Sequence, residues 1–177
     1  MRLQSDKCVV RDWKLEDKPS LVRYANDRRV WRNLLDIFPH PYTEAAADAW
    51  LALVTTMSPC THWAVEVDGR AVGGVGFDVG QGVFCRTAHL GYWLGEPYWG
   101  RGIMTEAVRG VVRHAFASYD LERLEAPVFE WNPGSMRVLE KCGFVREAVL
   151  RKSAFKDGQL IDMMLYACVR EPGRLRL

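Results

Sequence analysis

Apolar side chains at positions 103, 104, 107, 108, 111, 112, 115 and 116 form one stripe at helical spacing, so Ile103 to Phe116 is the clearest helix of the chain. His62 to Val67 alternates instead. Asp68-Gly69 then supplies a two-residue hairpin turn, and Ala71 to Phe77 reads as the returning strand. Thr87 to Leu94 is another strand, with Leu90, Tyr92 and Leu94 on one face and His89, Gly91 and Trp93 on the other. Cys8 to Arg11 reads as a short first strand and Arg123 to Phe129 as a later one. Phe144 to Arg151 and Leu160 to Val169 close the chain as strands joined around Lys156-Asp157-Gly158.

Three more helices fit between these strands. Leu15 to Asp27 is helical with Pro19 in its first turn. Thr43 N-caps a helix running to about Met57, after a stretch whose prolines at 39 and 41 make a loop. Asn132 caps a helix from Pro133 to Cys142, with proline in the first helical position and Gly143 as the stop. Strands and helices alternate, but several hairpins intervene. The expected fold class is therefore α/β (α+β): a mixed, mostly antiparallel sheet of about seven strands flanked by helices.

The length of 177 residues suits one domain, expected to span 1–177. A net charge of +2 is too balanced to argue for a nucleic-acid partner. Five cysteines, an odd number with no Cys-x-x-Cys pair, suggest reduced thiols and a cytoplasmic location, with no metal site. Met1 to Lys7 has no apolar core, so no signal peptide is expected, and no apolar run approaches the ~20 residues that span a bilayer. A homodimer stays open.

The segment Gly95-Glu96-Pro97-Tyr98-Trp99-Gly100-Arg101-Gly102 lies between a strand and the strongest helix. The first helical N–H groups have no partner inside the helix, and the positive end of the helix dipole stands behind them. Glycines let backbone approach a ligand closely, so a phosphate or pyrophosphate is the natural guest, with Arg101 and Thr105 as further contacts. A plain turn is the competing reading. No Lys-Ser/Thr pair follows the glycines, and a third glycine is missing, so neither a Walker loop nor a dinucleotide fingerprint is present.

Four segments in order resemble the GNAT N-acetyltransferases, and in particular the ribosomal-protein N-terminal acetyltransferases of the RimJ/RimL type. They are Ala88-His89-Leu90-Gly91-Tyr92-Trp93-Leu94, Trp99-Gly100-Arg101-Gly102-Ile103-Met104-Thr105-Glu106-Ala107, Asn132-Pro133-Gly134-Ser135 and Glu140-Lys141-Cys142-Gly143-Phe144. The resemblance implies acetyl-CoA as donor. It implies that Trp99, Gly100, Arg101, Gly102, Ile103, Met104 and Thr105 hold its pyrophosphate. Trp93 and Leu94 would pair with the pantetheine arm, and Asn132 would lie beside that arm. Trp99 replaces the family's first polar residue and Met104 its last small one, while Gly102 keeps the central place. The family's splayed strands would hold Tyr92 to Leu94 and Ala126 to Phe129.

Many relatives protonate the leaving thiolate with a tyrosine where this chain has Glu140. In the RimL-like branch a serine is proposed for that role, and Ser135 matches it; simple helix capping is its competing reading. His89 stands where relatives often carry a basic glutamate, and its near-neutral pKa suits a general base. Glu130 and Asp162 are further candidates. Cys142, at a helix C-terminus that disfavours a thiolate, does not suit a covalent route. About one tenth of α-amines are neutral at pH 7, against under roughly 0.1% of lysine amines. An uncertain base therefore favours α-amines. Trp31, Asn33, Phe38 and Tyr42 would line the acceptor side, with loop packing as the alternative. The acceptor readings are a protein N-terminus or a small-molecule amine such as an antibiotic, polyamine or amino acid. A non-catalytic acyl-CoA-binding module is the rival.

Overall fold

Asp68 and Gly69, at φ 49° and 74°, turn the chain between β3 (His62–Val67) and β4 (Arg70–Val79). Positive φ at both central positions matches the right-handed twist of the strands they join. The computed structural model describes residues 1–170; residues 171–177 of the expected single domain lie outside the described residues.

Before this hairpin come β1 (Arg2–Gln4) and β2 (Val9–Arg11). After it come β5 (Thr87–Leu94), β6 (Arg123–Phe129), β7 (Val145–Lys156) and β8 (Gln159–Val169). The eight strands of the described residues form one sheet in the order β1-β2-β3-β4-β5-β6-β8-β7. Most pairings are antiparallel; β5 and β6 run parallel through three pairs, ending at His89 and Glu125. The helices are α1 (Lys18–Ala25), α2 (Arg28–Trp31), α3 (Glu44–Thr56), α4 (Ile103–Ser118) and α5 (Pro133–Lys141).

Where the elements depart from the pattern, the reason is local. Leu15 to Asp17 is one turn of 3-10 helix before α1. Asp17 is buried there, clamped by both terminal nitrogens of Arg11 at 2.7 Å, and Arg11 also donates to Glu66. Thr43 caps α3 as expected, its hydroxyl accepting the N–H of Ala46 at 3.2 Å. The strand expected to end at Arg151 continues to Lys156 after an irregularity between Leu150 and Ala154.

The contacts group into two compact units: residues 1–76 with 92–107, and residues 77–91 with the described residues from 108 onward. In the first, Leu21, Ala25, Ala47 and Leu51 pack with Trp13 and Tyr42 around Ala64 and Ala71. Each fully buried Leu or Val stabilises such a core by about 1.5–3 kcal/mol. In the second, Val108, Val111, Val112 and Ala115 carry the buried stripe of α4, and Leu124 and Leu139 are fully buried.

Candidate functional site

The glycine turn belongs to the first unit. Gly95 donates its N–H to Val72 O at 2.8 Å, and a single 3-10 turn, Glu96–Tyr98, follows. Trp99 then donates its indole N–H back to Leu94 O at 2.7 Å. The indole therefore closes the loop from Leu94 to Trp99, which is what this residue supplies in place of a polar contact. Gly100 and Gly102 both lie in the left-handed region, at φ 74° and 76°. A β-carbon on Gly100 would meet nothing within 4 Å, so open space faces the backbone there. Ile103, Met104 and Thr105 are buried, and Arg101 places its guanidinium 5.4 Å from the Tyr98 ring centre.

Tyr24 braces this turn. Its ring would lie 3.0 Å from a β-carbon on Gly95, and it meets the Tyr98 ring edge-on at 5.4 Å. The two hydroxyls are 3.2 Å apart. The Tyr98 hydroxyl first, with Arg70 as a further donor, lowers the Tyr24 pKa; the same contact raises that of Tyr98. Nothing in the sequence spacing signals this pair, whose members stand 74 positions apart. Upstream, glycine lets β4 approach β5: a β-carbon on Gly73 would strike Trp93 O at 2.4 Å.

The acceptor-side residues are also in the first unit. Trp31 stacks on His40 at 5.5 Å, and Asn33 donates its amide to Arg29 O at 2.8 Å. Phe38 packs against Tyr42 and Trp93 at 4.9 and 5.6 Å. Tyr42 is buried in the core, and that burial pushes its pKa up to about 12. Phe38 and Trp93 thus meet directly, Trp31 pairs with His40, and Tyr42 faces packing.

In the second unit, Asn132 caps α5 by accepting the N–H of Ser135 at 3.1 Å. Tyr166 donates its hydroxyl to Glu140 Oε1 at 2.9 Å; burial, then Glu140, raises the Tyr166 pKa. Glu130 and Asp162 are tied together: Glu130 N–H donates to Asp162 O at 3.1 Å, and Asp162 N–H donates to Glu130 Oε1 at 3.3 Å. Asp162 also accepts the Lys152 N–H at 2.7 Å. His89 is 61% exposed, with Nδ1 at 3.3 Å from Glu125 Oε1. Glu125 accepts in turn from Arg123 at 3.0 Å, and Arg123 forks onto Glu147. Cys142 is buried, a poor place for a nucleophile.

Among the described residues no cluster of His, Cys, Asp or Glu could hold a metal, and no helix is long and apolar enough to cross a membrane.

Residues 7–145 match the family model described as acetyltransferase (GNAT) domain. The chain belongs to the GNAT acetyltransferases. It is similar to the probable N-acetyltransferase YjcK of Bacillus subtilis, at 46% identity over 56% of this chain. That match spans 55% of YjcK, about half its length. The ribosomal protein uS5 alanine N-acetyltransferase of Escherichia coli is 30% identical, over 98% of this chain and 95% of that protein. Among solved structures, the RimL ribosomal L7/L12 α-N-protein acetyltransferase in complex with coenzyme A has the same fold. Its TM-score is 0.81 at 18% identity, covering 96% of this chain and 98% of that one. The GNAT chain thus carries its glycine turn in one unit and Asn132, Ser135 and His89 in the other.

Proposed function

We propose that this GNAT chain transfers the acetyl group of acetyl-CoA to a primary amine, with a protein N-terminal α-amine as the acceptor class. The observation that carries the reading is the pair of left-handed glycines, Gly100 and Gly102, immediately before α4. Backbone N–H groups from Trp99 to Thr105 would hold the pyrophosphate, Arg101 would add charge, and Trp93 and Leu94 would pair with the pantetheine amides. The whole chain would act as one catalytic domain. Its five free cysteines suit the cytoplasm.

In the proposed reaction the neutral amine nitrogen attacks the thioester carbonyl and forms a tetrahedral oxyanion. Collapse breaks the C–S bond. The thiolate takes a proton from Ser135 Oγ, with Asn132 fixing the turn that presents it, and the ammonium proton, relayed through water, restores the serine hydroxyl. His89 would act as a base only weakly. Its exposure, and the sharing of Glu125 with Arg123, support a water-relayed route. That route is adequate for an α-amine, about one tenth of which is neutral at pH 7.

The acceptor segment supports a peptide over a polyamine. Leu35 and Ile37 are 60% and 91% exposed beside half-buried Trp31 and Phe38. An apolar rim suits peptide side chains. The names of the ribosomal-protein relatives support the same class.

The test is thiol release from acetyl-CoA across N-terminal peptides, free amino acids, polyamines and aminoglycosides. Turnover should be highest with peptides. Higher turnover on a small amine would move the acceptor to that class, and tight CoA binding with no turnover on any amine would favour a binding module.

A further inference from the structure

The turn joining β1 to β2 reaches the glycine turn. Ser5 closes it: its N–H donates to Cys8 O at 3.0 Å, and its hydroxyl accepts the N–H groups of Lys7 and Cys8 at 3.3 and 3.2 Å. The Cys8 thiol donates to Ile103 O at 3.7 Å, which fastens this turn to the first residue of α4. Beside that contact the Lys7 side chain lies over Gly102. A β-carbon on Gly102 would meet Lys7 Nζ at 2.7 Å and its Cδ and Cε at 3.7 and 3.8 Å.

The ammonium stands where a helix least tolerates one. The N-terminal end of α4 is the positive end of its dipole, and a cation there is opposed rather than favoured. Among the described residues no carboxylate pairs with Lys7. Two positive features therefore converge on one exposed spot, with the Glu106 carboxylate of the first turn of α4 nearby, and an anion that enters there meets both. The lysine stem is long and flexible, so the cation can swing off Gly102 while staying within reach of a ligand on the turn.

We propose that Lys7 is a phosphate-binding residue, whose ammonium closes over the diphosphate of a coenzyme A thioester held on Gly100-Arg101-Gly102. The inference rests on the proposed reading of that turn as the coenzyme site. It adds a charged side chain from the other end of the sequence to a site otherwise made of backbone N–H groups.

Calorimetric titration with CoA and with pantetheine, which lacks the phosphates, tests it in the wild type, Lys7→Gln and Lys7→Arg. Loss of one charge-assisted contact should weaken CoA binding about tenfold in Lys7→Gln. Lys7→Arg should stay near wild type, and pantetheine should bind all three alike. Salt should weaken CoA binding less in Lys7→Gln than in the wild type. CoA affinity unchanged in Lys7→Gln would overturn the role of Lys7 alone. Failure of the wild type to bind CoA would overturn the coenzyme site and Lys7 with it. An equal loss for pantetheine would make the lysine a structural support and overturn the phosphate contact.

Discussion

The phenol of Tyr166 donates to Glu140 Oε1 at 2.9 Å, so β8 delivers a hydroxyl to the position in α5 where many GNAT relatives carry a tyrosine. Burial, then Glu140, holds the Tyr166 pKa above its usual value, so the phenol remains a donor through neutral pH. Tyr166→Phe leaves the carboxylate without that donor and should cost about 1–2 kcal/mol in urea unfolding. Turnover should change less than about threefold, since the phenol is already committed to Glu140. A collapse of kcat at unchanged stability would make Tyr166 the acid.

Ser135 separates stability from chemistry. The cap on α5 uses its backbone N–H, which Ser135→Ala retains. That variant should therefore keep the capping contribution of about 1 kcal/mol. Its kcat should nevertheless fall by the roughly 10²-fold typical of a lost general acid. Asn132→Ala should do the opposite in part, losing about 1 kcal/mol of capping. His89→Ala should lower kcat less than about tenfold, short of the loss expected for an essential base.

The two glycines of the turn should answer differently to alanine. Both carry a positive φ, which costs an L-residue roughly 1–2 kcal/mol. Gly100→Ala meets open space and should show only that strain. Gly102→Ala also pushes Lys7 aside, and should weaken CoA binding more than Gly100→Ala does. Equal CoA affinities by calorimetry would remove Gly102 from the coenzyme site.

Acid should act through Asp27. Its side chain accepts the Arg29 N–H at 2.8 Å at the start of α2 and pairs with the Arg29 guanidinium at 2.9 Å. The Arg29 side-chain hydrogen bond, above all, lowers the Asp27 pKa in the folded state. A depressed carboxylate stabilises the fold above its unfolded pKa, near ~4, and that contribution is lost as pH falls through the folded value. Asp27→Asn keeps the cap but removes the charge. Its unfolding midpoint should approach that of the wild type as pH drops from 6 to about 2. A gap that stays constant would deny the ion pair a role.

The elements with strong local signals were legible. The stripe of α4, the Asn132-Pro133 start of α5 and the two Asp-Gly turns each rest on neighbouring residues, and each stands where the pattern puts it. β1 is three residues long with one half-buried position, too short for any period to register. β7 is exposed at nearly every position, so its hydrophobic pattern marks no face. The glycine turn was legible as the turn between β5 and α4, and its reading as a coenzyme site rests on resemblance. Its brace by Tyr24 and its cover by Lys7 arise from chain segments far apart in sequence, which only folding brings together.

The exposure of β7 has a consequence beyond the site. This strand is twelve residues long and, among the described residues, pairs only with β8, at the end of the strand order. Val145 and Phe155 stand exposed on it, a composition that invites a foreign strand to add on. Arg146, Arg151 and Lys152 interrupt that invitation with charge, and two irregularities in register twist the ladder. The left-handed Lys152, at φ 51°, breaks the straight run of the strand near its middle. The chain thereby guards its longest border against growing into a fibre.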